Sequence, residues 1–344
     1  MRVLVTGHEG YLGGVVTPRL LAAGHTVVGL DTGLFADRVL GPAPPPVDTL
    51  RGDVRDVTPE QCAGVDAVVH LAALCNDPLG DLDPALTDEV NHRATLRLAA
   101  AAKSAGVTRF VFASSCSLYG AGAAGVKLTE TAAFEPVTPY GESKVLSERG
   151  LWALADDDFS PTCLRNATAY GFSPRLRGDL VVNDLTAHAV IAGEVPLRSD
   201  GIVWRPLVHV EDIAAAFLAV LEAPREVVHA KAYNVGRSEE NYLIRDVAEL
   251  VAEVLPGSRL SIAAGAGHDR RDYQVSCDLI QAEVPAFVPQ WTLRAGISQL
   301  AESFRRFGLT SDDLATGRFQ RLARIHELRR AGLIDEAMRW SRRP

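Results

Sequence analysis

The stretch Val3-Leu4-Val5-Thr6-Gly7-His8-Glu9-Gly10-Tyr11-Leu12-Gly13 places three glycines, spaced three and three, between a β-branched run and a helical pattern over residues 11–23. Such a turn lets the backbone come close to a diphosphate, and the helix N-terminus points its unpaired N–H groups and positive dipole end at the same spot. Glycines also serve tight turns for steric reasons alone. The surroundings favour the chemical reading. Asp31 closes the next apolar run 18 residues after Gly13, near the roughly 20-residue spacing of a carboxylate that accepts hydrogen bonds from an adenosine ribose.

Working outward, Val3–Val5, Thr26–Leu30, Ala67–Leu71, Phe110–Ala113 and Thr162–Leu164 read as strands, with helices near 11–23, 84–105 and 139–155. Strands separated by helical crossovers predict a doubly wound α/β fold, a parallel Rossmann sheet buried on both faces. Beyond Arg165 the alternation weakens, with helices expected near 180–192 and 211–222 and a strand over Val227–Val235. The reading assigns 1–165 plus about 208–235 to a dinucleotide-binding domain, and 166–207 plus 236–344 to a smaller substrate-binding lobe over the C-terminal edge of the sheet. The tail Ser311–Ser341 carries Leu314, Phe319, Leu322, Ile325, Leu328, Leu333, Ile334 and Met338 at helical spacing, and is expected to pack as a helix pair on its own lobe.

Composition narrows the class. The 344 residues hold 43 acidic and 35 basic side chains, a formal charge of −8, which is the wrong sign for a general nucleic-acid binder. Mean hydropathy is +0.06, no apolar run reaches the roughly 18 residues of a membrane span, and no secretory signal pattern precedes Val3. Cytoplasmic residence is expected. The five cysteines are odd in number and form no CxxC pair, so neither a disulfide framework nor a thiolate metal cage is expected. The histidines make no closely spaced ligand set, and no metal is expected.

Gly7, His8, Gly10, Tyr11, Leu12, Gly13 and Asp31 are therefore assigned to the dinucleotide. A carboxylate at Asp31 repels the 2′-phosphate of NADP, and Thr32-Gly33 brings no adjacent arginine, so NAD is the expected cofactor. Asp53 and Val54 follow Gly52 at the end of the third strand. Asp53 suits either the adenine amino group or a solvated loop end.

Ser114-Ser115 ends the strand Phe110–Ala113, and Tyr140-Gly141-Glu142-Ser143-Lys144 begins a helix with Thr138 as N-cap and Pro139 as its first residue. A spacing of four puts Tyr140 and Lys144 on one helical face. A lysine ammonium there, with a nicotinamide cation, favours the phenolate of a tyrosine whose ordinary pKa is about 10. Ser115 can bond the same substrate oxygen, and the three groups together can take a proton from an alcohol as hydride leaves its carbon.

With Gly7-x-x-Gly10-x-x-Gly13, Asp31, Gly52-Asp53, His70-Leu71-Ala72-Ala73, Asn91, Ser114-Ser115-Cys116-Ser117-Leu118-Tyr119-Gly120, Tyr140-x-x-x-Lys144, Leu164-Arg165, Tyr170-Gly171, Arg205 and His209-Val210-x-Asp212, the chain resembles the extended short-chain dehydrogenases/reductases of the nucleotide-sugar epimerase and dehydratase family over nearly its whole length. The resemblance implies that Leu71, Ala72 and Ala73 line the NAD path, that Asn91 anchors the neighbouring helix, that Ser114 belongs to the cofactor set, and that Ser115, Tyr140 and Lys144 are catalytic. It further implies a nucleotide-diphosphate sugar as partner, with Arg205 and Arg271 on its diphosphate, and a homodimer through the helices near 84–105 and 139–155. Asn76, Ser117, Asn166, Thr168, Arg177 and Asn183 complete the expected substrate set.

In the dehydratase branch an Asp-Glu pair follows the strand-end hydroxyl, whereas here those positions are Cys116 and Ser117. The expectation is therefore epimerisation of a nucleotide hexose, at carbon 4, by oxidation and re-reduction. Dehydration or keto-sugar reduction on the same scaffold is the nearer rival. A catalytically idle NAD-binding sensor is the other; it would need the phosphate loop but not the proton relay.

Overall fold

The computed structural model describes residues 1–75, 77–122, 125–262 and 271–341. Five strands in the first third, β1 (Arg2–Thr6), β2 (Thr26–Asp31), β3 (Asp48–Arg51), β4 (Ala67–His70) and β5 (Arg109–Ser115), are joined by Ser160–Asn166 and Lys231–Val235 in one sheet. Their spatial order is Lys231–Val235, Ser160–Asn166, β5, β4, β1, β2, β3. Every pairing is parallel. Strand order reverses beside β1, which opens a crevice outside the carboxyl ends of β1 and β4, the usual seat of a ligand in such sheets.

The apolar runs that look featureless in the sequence are buried on both faces. Val3 and Val5 join Val16 and Leu20 of α1 (Gly13–Ala22), and Ile213 and Phe217 of the helix Val210–Glu222, in one core. Leu4, alternating to the opposite face, packs with Leu98, Ala102, Phe110 and Leu151. A further core holds Leu185, Val195, Val247, Val251, Ile297 and Phe304. Among the described residues no helix is long and apolar enough to cross a membrane.

Four expectations change. The helix near 84–105 is interrupted by a wider π turn, Asp88–Arg93, between Pro84–Thr87 and Ala94–Ser104, and the buried Asn91 lies within it. The strand Trp204–His209 belongs to a separate sheet, between Thr168–Tyr170 and Asn241–Leu243, so the return to the main sheet starts only with the helix Val210–Glu222. Within 227–235 the chain first completes one helical turn, Arg225–Val228, and the strand begins at Lys231.

The tail is the largest departure. Leu314 and Phe319 do pack on the second core, but the helix Arg321–Arg330 and the residues after it cross to the other side of the crevice. There Ile325, Leu328, Ile334 and Met338 bury against Leu34, Leu74, Leu79 and Leu86. The apolar face left open by the loops after β2 and β4 supplies the reason: full burial of a side chain such as Ile325 or Leu328 is worth about 2 kcal/mol.

Candidate active site

The glycine loop is built by close approach. Gly7 has φ +73°, and a Cβ there would stand 2.8 Å from the Ala72 nitrogen. A Cβ at Gly13 would stand 2.5 Å from the His8 Cα, so neither position admits a side chain without moving main chain. Gly7, Gly10, Tyr11, Leu12 and Gly13 line a cavity of about 720 Å³ together with Leu71, Ala72 and Ala73. His8 does not line it. Its imidazole turns to the sheet, packs over Gly29 and bonds Thr49 Oγ1 at 3.1 Å, while burial lowers its pKa. Tyr11 is anchored by its hydroxyl, which donates to the Gly171 carbonyl at 2.8 Å.

Asp31 ends β2 at the rim of this loop. Its carboxylate accepts from Glu9 N at 3.0 Å and Gly33 N at 2.8 Å, and burial pushes its pKa above the ordinary value. Arg51, from the end of β3, reaches the same corner, where it is paired with Glu9. Sequence reasoning found no arginine adjacent to Asp31; β2–β3 pairing, with Asp31 opposite Arg51, brings one. Asp53 and Val54 line the cavity. Asp53 Oδ1 accepts from Arg55 Nε at 2.9 Å and Oδ2 from Arg55 Nη2 at 2.5 Å, an ion pair that holds its carboxyl below the usual range despite burial. Asn91 stands behind the wall: it accepts from Leu74 N at 2.8 Å and donates to Leu74 O at 3.0 Å, thereby positioning the segment after β4.

At the reacting end, Thr138 caps the helix Pro139–Leu154 by accepting from Gly141 N at 3.2 Å. One turn in, Lys144 is buried, donates to the Ala113 carbonyl at 2.8 Å, and places Nζ 5.5 Å from the Tyr140 ring centre. Burial pushes its pKa down to about 8. Ser115 Oγ accepts from Ser117 N and bonds Ser117 Oγ, both at 3.1 Å. Ser115, Ser117, Tyr140 and Lys144 all line the cavity. Ser114 also borders it, but its hydroxyl donates away, to Glu148 Oε1 at 2.5 Å. Glu148 is paired in turn with the fully buried Arg165, Nη2 to Oε2 at 2.7 Å. Such a buried pair fixes the strand end to the helix, and removing one partner would strand a charge.

The expected substrate residues divide. Asn166 donates to the Ser114 carbonyl at 3.2 Å and leaves a buried Oδ1 with no partner among the described residues, an acceptor that calls for a donor from an occupant of the cavity. Thr168, Arg205 and Arg271 line the same cavity. Arg205 donates to the Arg271 carbonyl and to the Trp204 carbonyl at 2.7 Å, so two arginines far apart in sequence do converge. Arg177 lines it too but is paired with Asp179 at 3.0 Å and donates to the Cys75 carbonyl at 3.2 Å. Asn183 is fully buried and committed to the main chain, accepting from Gly171 N at 3.0 Å and donating to Arg177 O at 3.0 Å; its amide shapes the loop 171–177 and does not line the cavity. Asn76 lies outside the described residues.

No sequence signal marked Gln320 or Arg321, and Leu322 and Met338 were expected only as apolar packing positions of the tail, yet the tail brings all four to the cavity wall beside Leu34 and Phe35.

A glycine cradle, a half-buried carboxylate after β2 and a Ser–Tyr–Lys set lining the same cavity define a dinucleotide-dependent scaffold of the extended short-chain dehydrogenase/reductase type. The chain belongs to the NAD-dependent epimerase/dehydratase family, whose model matches residues 3–236. It is 30% identical over 325 residues to the UDP-glucose 4-epimerase of Mycolicibacterium smegmatis, covering 89% of this chain and 99% of that protein. MoeE5, solved in complex with UDP-glucuronic acid and NAD, superposes with a TM-score of 0.77 at 28% identity over 89% of this chain and 99% of that one. The dTDP-glucose 4,6-dehydratase DesIV from Streptomyces venezuelae, solved with NAD and TYD, superposes with a TM-score of 0.78 at 25% identity, covering 91% of this chain and 99% of that one.

Proposed function

We propose that the protein is an NAD-dependent epimerase of a nucleotide-activated hexose, inverting carbon 4 through a transient 4-keto sugar. The carrying observation is which acids reach the cavity. Among the described residues they are Asp31, Asp53 and Asp179. The first two serve the cofactor end and the third is paired with Arg177. The other described polar residues that line the cavity with Ser115 and Tyr140 include hydroxyls, the Asn166 amide, Lys144 and arginines. That set supports proton transfer at one hydroxyl, whereas loss of water across neighbouring carbons needs a further acid and base. Cys116 does not supply them: it is buried, its thiol donates to the Arg165 carbonyl at 3.1 Å, and burial pushes its pKa far up.

In this reading Tyr140, as phenolate, accepts the proton of the carbon-4 hydroxyl. The Lys144 ammonium stabilises that phenolate, and the Ser115 hydroxyl bonds the same substrate oxygen. Arg205 and Arg271 hold the diphosphate of the sugar nucleotide, a task suited to planar guanidinium groups. Asn166 and Thr168 offer polar contacts to the sugar. NAD, held by the glycine loop and Asp31, supplies hydride acceptor and donor chemistry. When the keto sugar has exposed its other face, Tyr140 returns the proton and the protein ends as it began. Retention of Ser115, Tyr140 and Lys144 together in one wall weighs against a sensor, which has no use for a proton relay.

The test is to incubate the protein and NAD with UDP-, TDP-, GDP- and CDP-hexoses, following sugar protons by NMR and cofactor by absorbance. An inverted stereocentre without net NADH is the expected outcome. A 4-keto-6-deoxy product would establish dehydration instead, and stoichiometric cofactor turnover would establish a reductase.

A further inference from the structure

We propose that the C-terminal segment 320–341 is a clasp that retains the dinucleotide, with Arg321 as a binding residue for its phosphates. The inference rests on NAD as the occupant of the cavity and is independent of which sugar carbon reacts. Three observations carry it.

The segment is part of the cavity. Gln320, Arg321, Leu322 and Met338 form its wall on the side of Leu34 and Phe35, next to the glycine loop and Asp31, where the adenosine half of the cofactor belongs.

Arg321 is buried where a cation needs a reason. Only 3% of it is exposed; its guanidinium stacks 4.4 Å from the Phe35 ring centre and Nη2 donates to the Arg175 carbonyl at 3.2 Å. Among the described residues no carboxylate pairs with it, although Asp179 and Asp31 lie near enough to act on its charge, as does the cation Arg177. Burial, reinforced by Arg177, lowers its pKa to about 10. With Asp179 paired to Arg177, the desolvated Arg321 guanidinium has no ion-pair partner of its own among the described residues, an unfavourable placement unless an occupant brings the anion, and the dinucleotide brings two phosphates to this cavity.

Beyond its apolar packing on Leu74, Leu79 and Leu86, the segment is fastened by polar contacts to the rim of the cofactor site. Trp340 Nε1 donates to the Thr32 carbonyl at 2.7 Å, and Arg339 pairs with Asp56 at 3.0 Å. Arg324 donates to the Leu34 carbonyl at 3.2 Å and to Asp37 at 3.1 Å. Thr32 to Asp37 follow β2, and Asp56 follows β3. These are the loops that flank the adenosine half, so the dinucleotide cannot leave on that side without the clasp lifting. A retained cofactor suits a cycle that returns its hydride within one turnover.

The experiment loads the protein with NADH and follows the loss of its fluorescence after mixing with excess NAD. Arg321→Met keeps an unbranched chain against Phe35 and removes the charge. Arg339→Ala with Trp340→Ala opens the outer fastening and leaves the cavity-lining residues in place. Both variants are expected to release NADH at least tenfold faster than the parent, with unchanged far-ultraviolet circular dichroism. Release within twofold of the parent in either folded variant would overturn the proposal. The readout needs no sugar, so a protein that fails the epimerase assay can still show the clasp, and an active epimerase with unaltered release rates loses the clasp alone.

Discussion

The two ends of the cavity are made in different ways. The reacting end is local: Ser115, Tyr140 and Lys144 come from one stretch of chain, and Lys144 is tied back to Ala113, beside Ser115, by a bond to the main chain. The adenosine end is assembled from far apart. Asp31 and Arg51 arrive on neighbouring strands, and Arg321, Arg339 and Trp340 arrive from the far end of the chain. In the proposed function, chemistry rests on short-range geometry inside a buried wall, whereas the proposed retention of the cofactor rests on long-range contacts, many of them ion pairs at the surface. Buried geometry is insensitive to salt; exposed pairs are screened and individually weak.

That contrast can be broken most severely at the reacting end. Tyr140→Phe keeps the ring and removes the proposed proton carrier, and turnover should fall by about 10²–10⁴-fold while NADH release stays at the parental rate. Normal turnover in steady-state assays would remove Tyr140 from the mechanism.

Leu328→Ala addresses the other end. Leu328 is fully buried against the loops after β2 and β4, and the cavity left should cost about 3 kcal/mol of stability, the middle of the range for such truncations. Urea unfolding measures it. A loss under about 1 kcal/mol would show that the tail is not packed there.

Lys144 gives the contrast a pH signature. With its pKa lowered to about 8 by burial, kcat/KM should fall as pH rises above 8, because the ammonium that favours the Tyr140 phenolate is lost. Rate profiles of wild type and Lys144→Arg, whose charge persists, test this; an alkaline limb unmoved in the variant would assign it to another group. The linked stability has the opposite trend. Between about pH 8 and the ordinary lysine value the unfolded chain binds more protons than the fold, so stability from this group rises with pH through that window.

The smallest effect is expected at the adenosine corner. Glu9→Gln releases Arg51 from its ion pair beside Asp31, and the preference for NAD over NADP should fall by about three- to tenfold, the scale of one partly exposed charge pair. An unchanged ratio of the two dissociation constants would place the discrimination wholly on Asp31.

What the sequence disclosed follows the same division. The sheet, the glycine loop and the Ser–Tyr–Lys set were legible because each depends on neighbours a few residues away: apolar runs, a turn of fixed spacing, one helical face. Arg205 and Arg271 could be named but not shown to converge. Asn183 looked like a sugar ligand because an amide serves a ligand and a main-chain loop equally well; the loop 171–177 claims it. His8 sits in the glycine loop by position but not by direction, since its side chain turns to Gly29 and Thr49. The tail's amphipathic pattern said that it covers something apolar and gave no sign of what. The answer depended on Leu34, Leu74, Leu79 and Leu86, which no local rule connects to Ile325.

The most direct test of the central claim is the fate of a deuterium label at carbon 4 of the accepted sugar nucleotide. If the proton relay and retained cofactor work as one closed cycle, the inverted product keeps deuterium at carbon 4, with none in solvent or in released reduced cofactor. Deuterium lost to either, or moved to another carbon, would contradict the account.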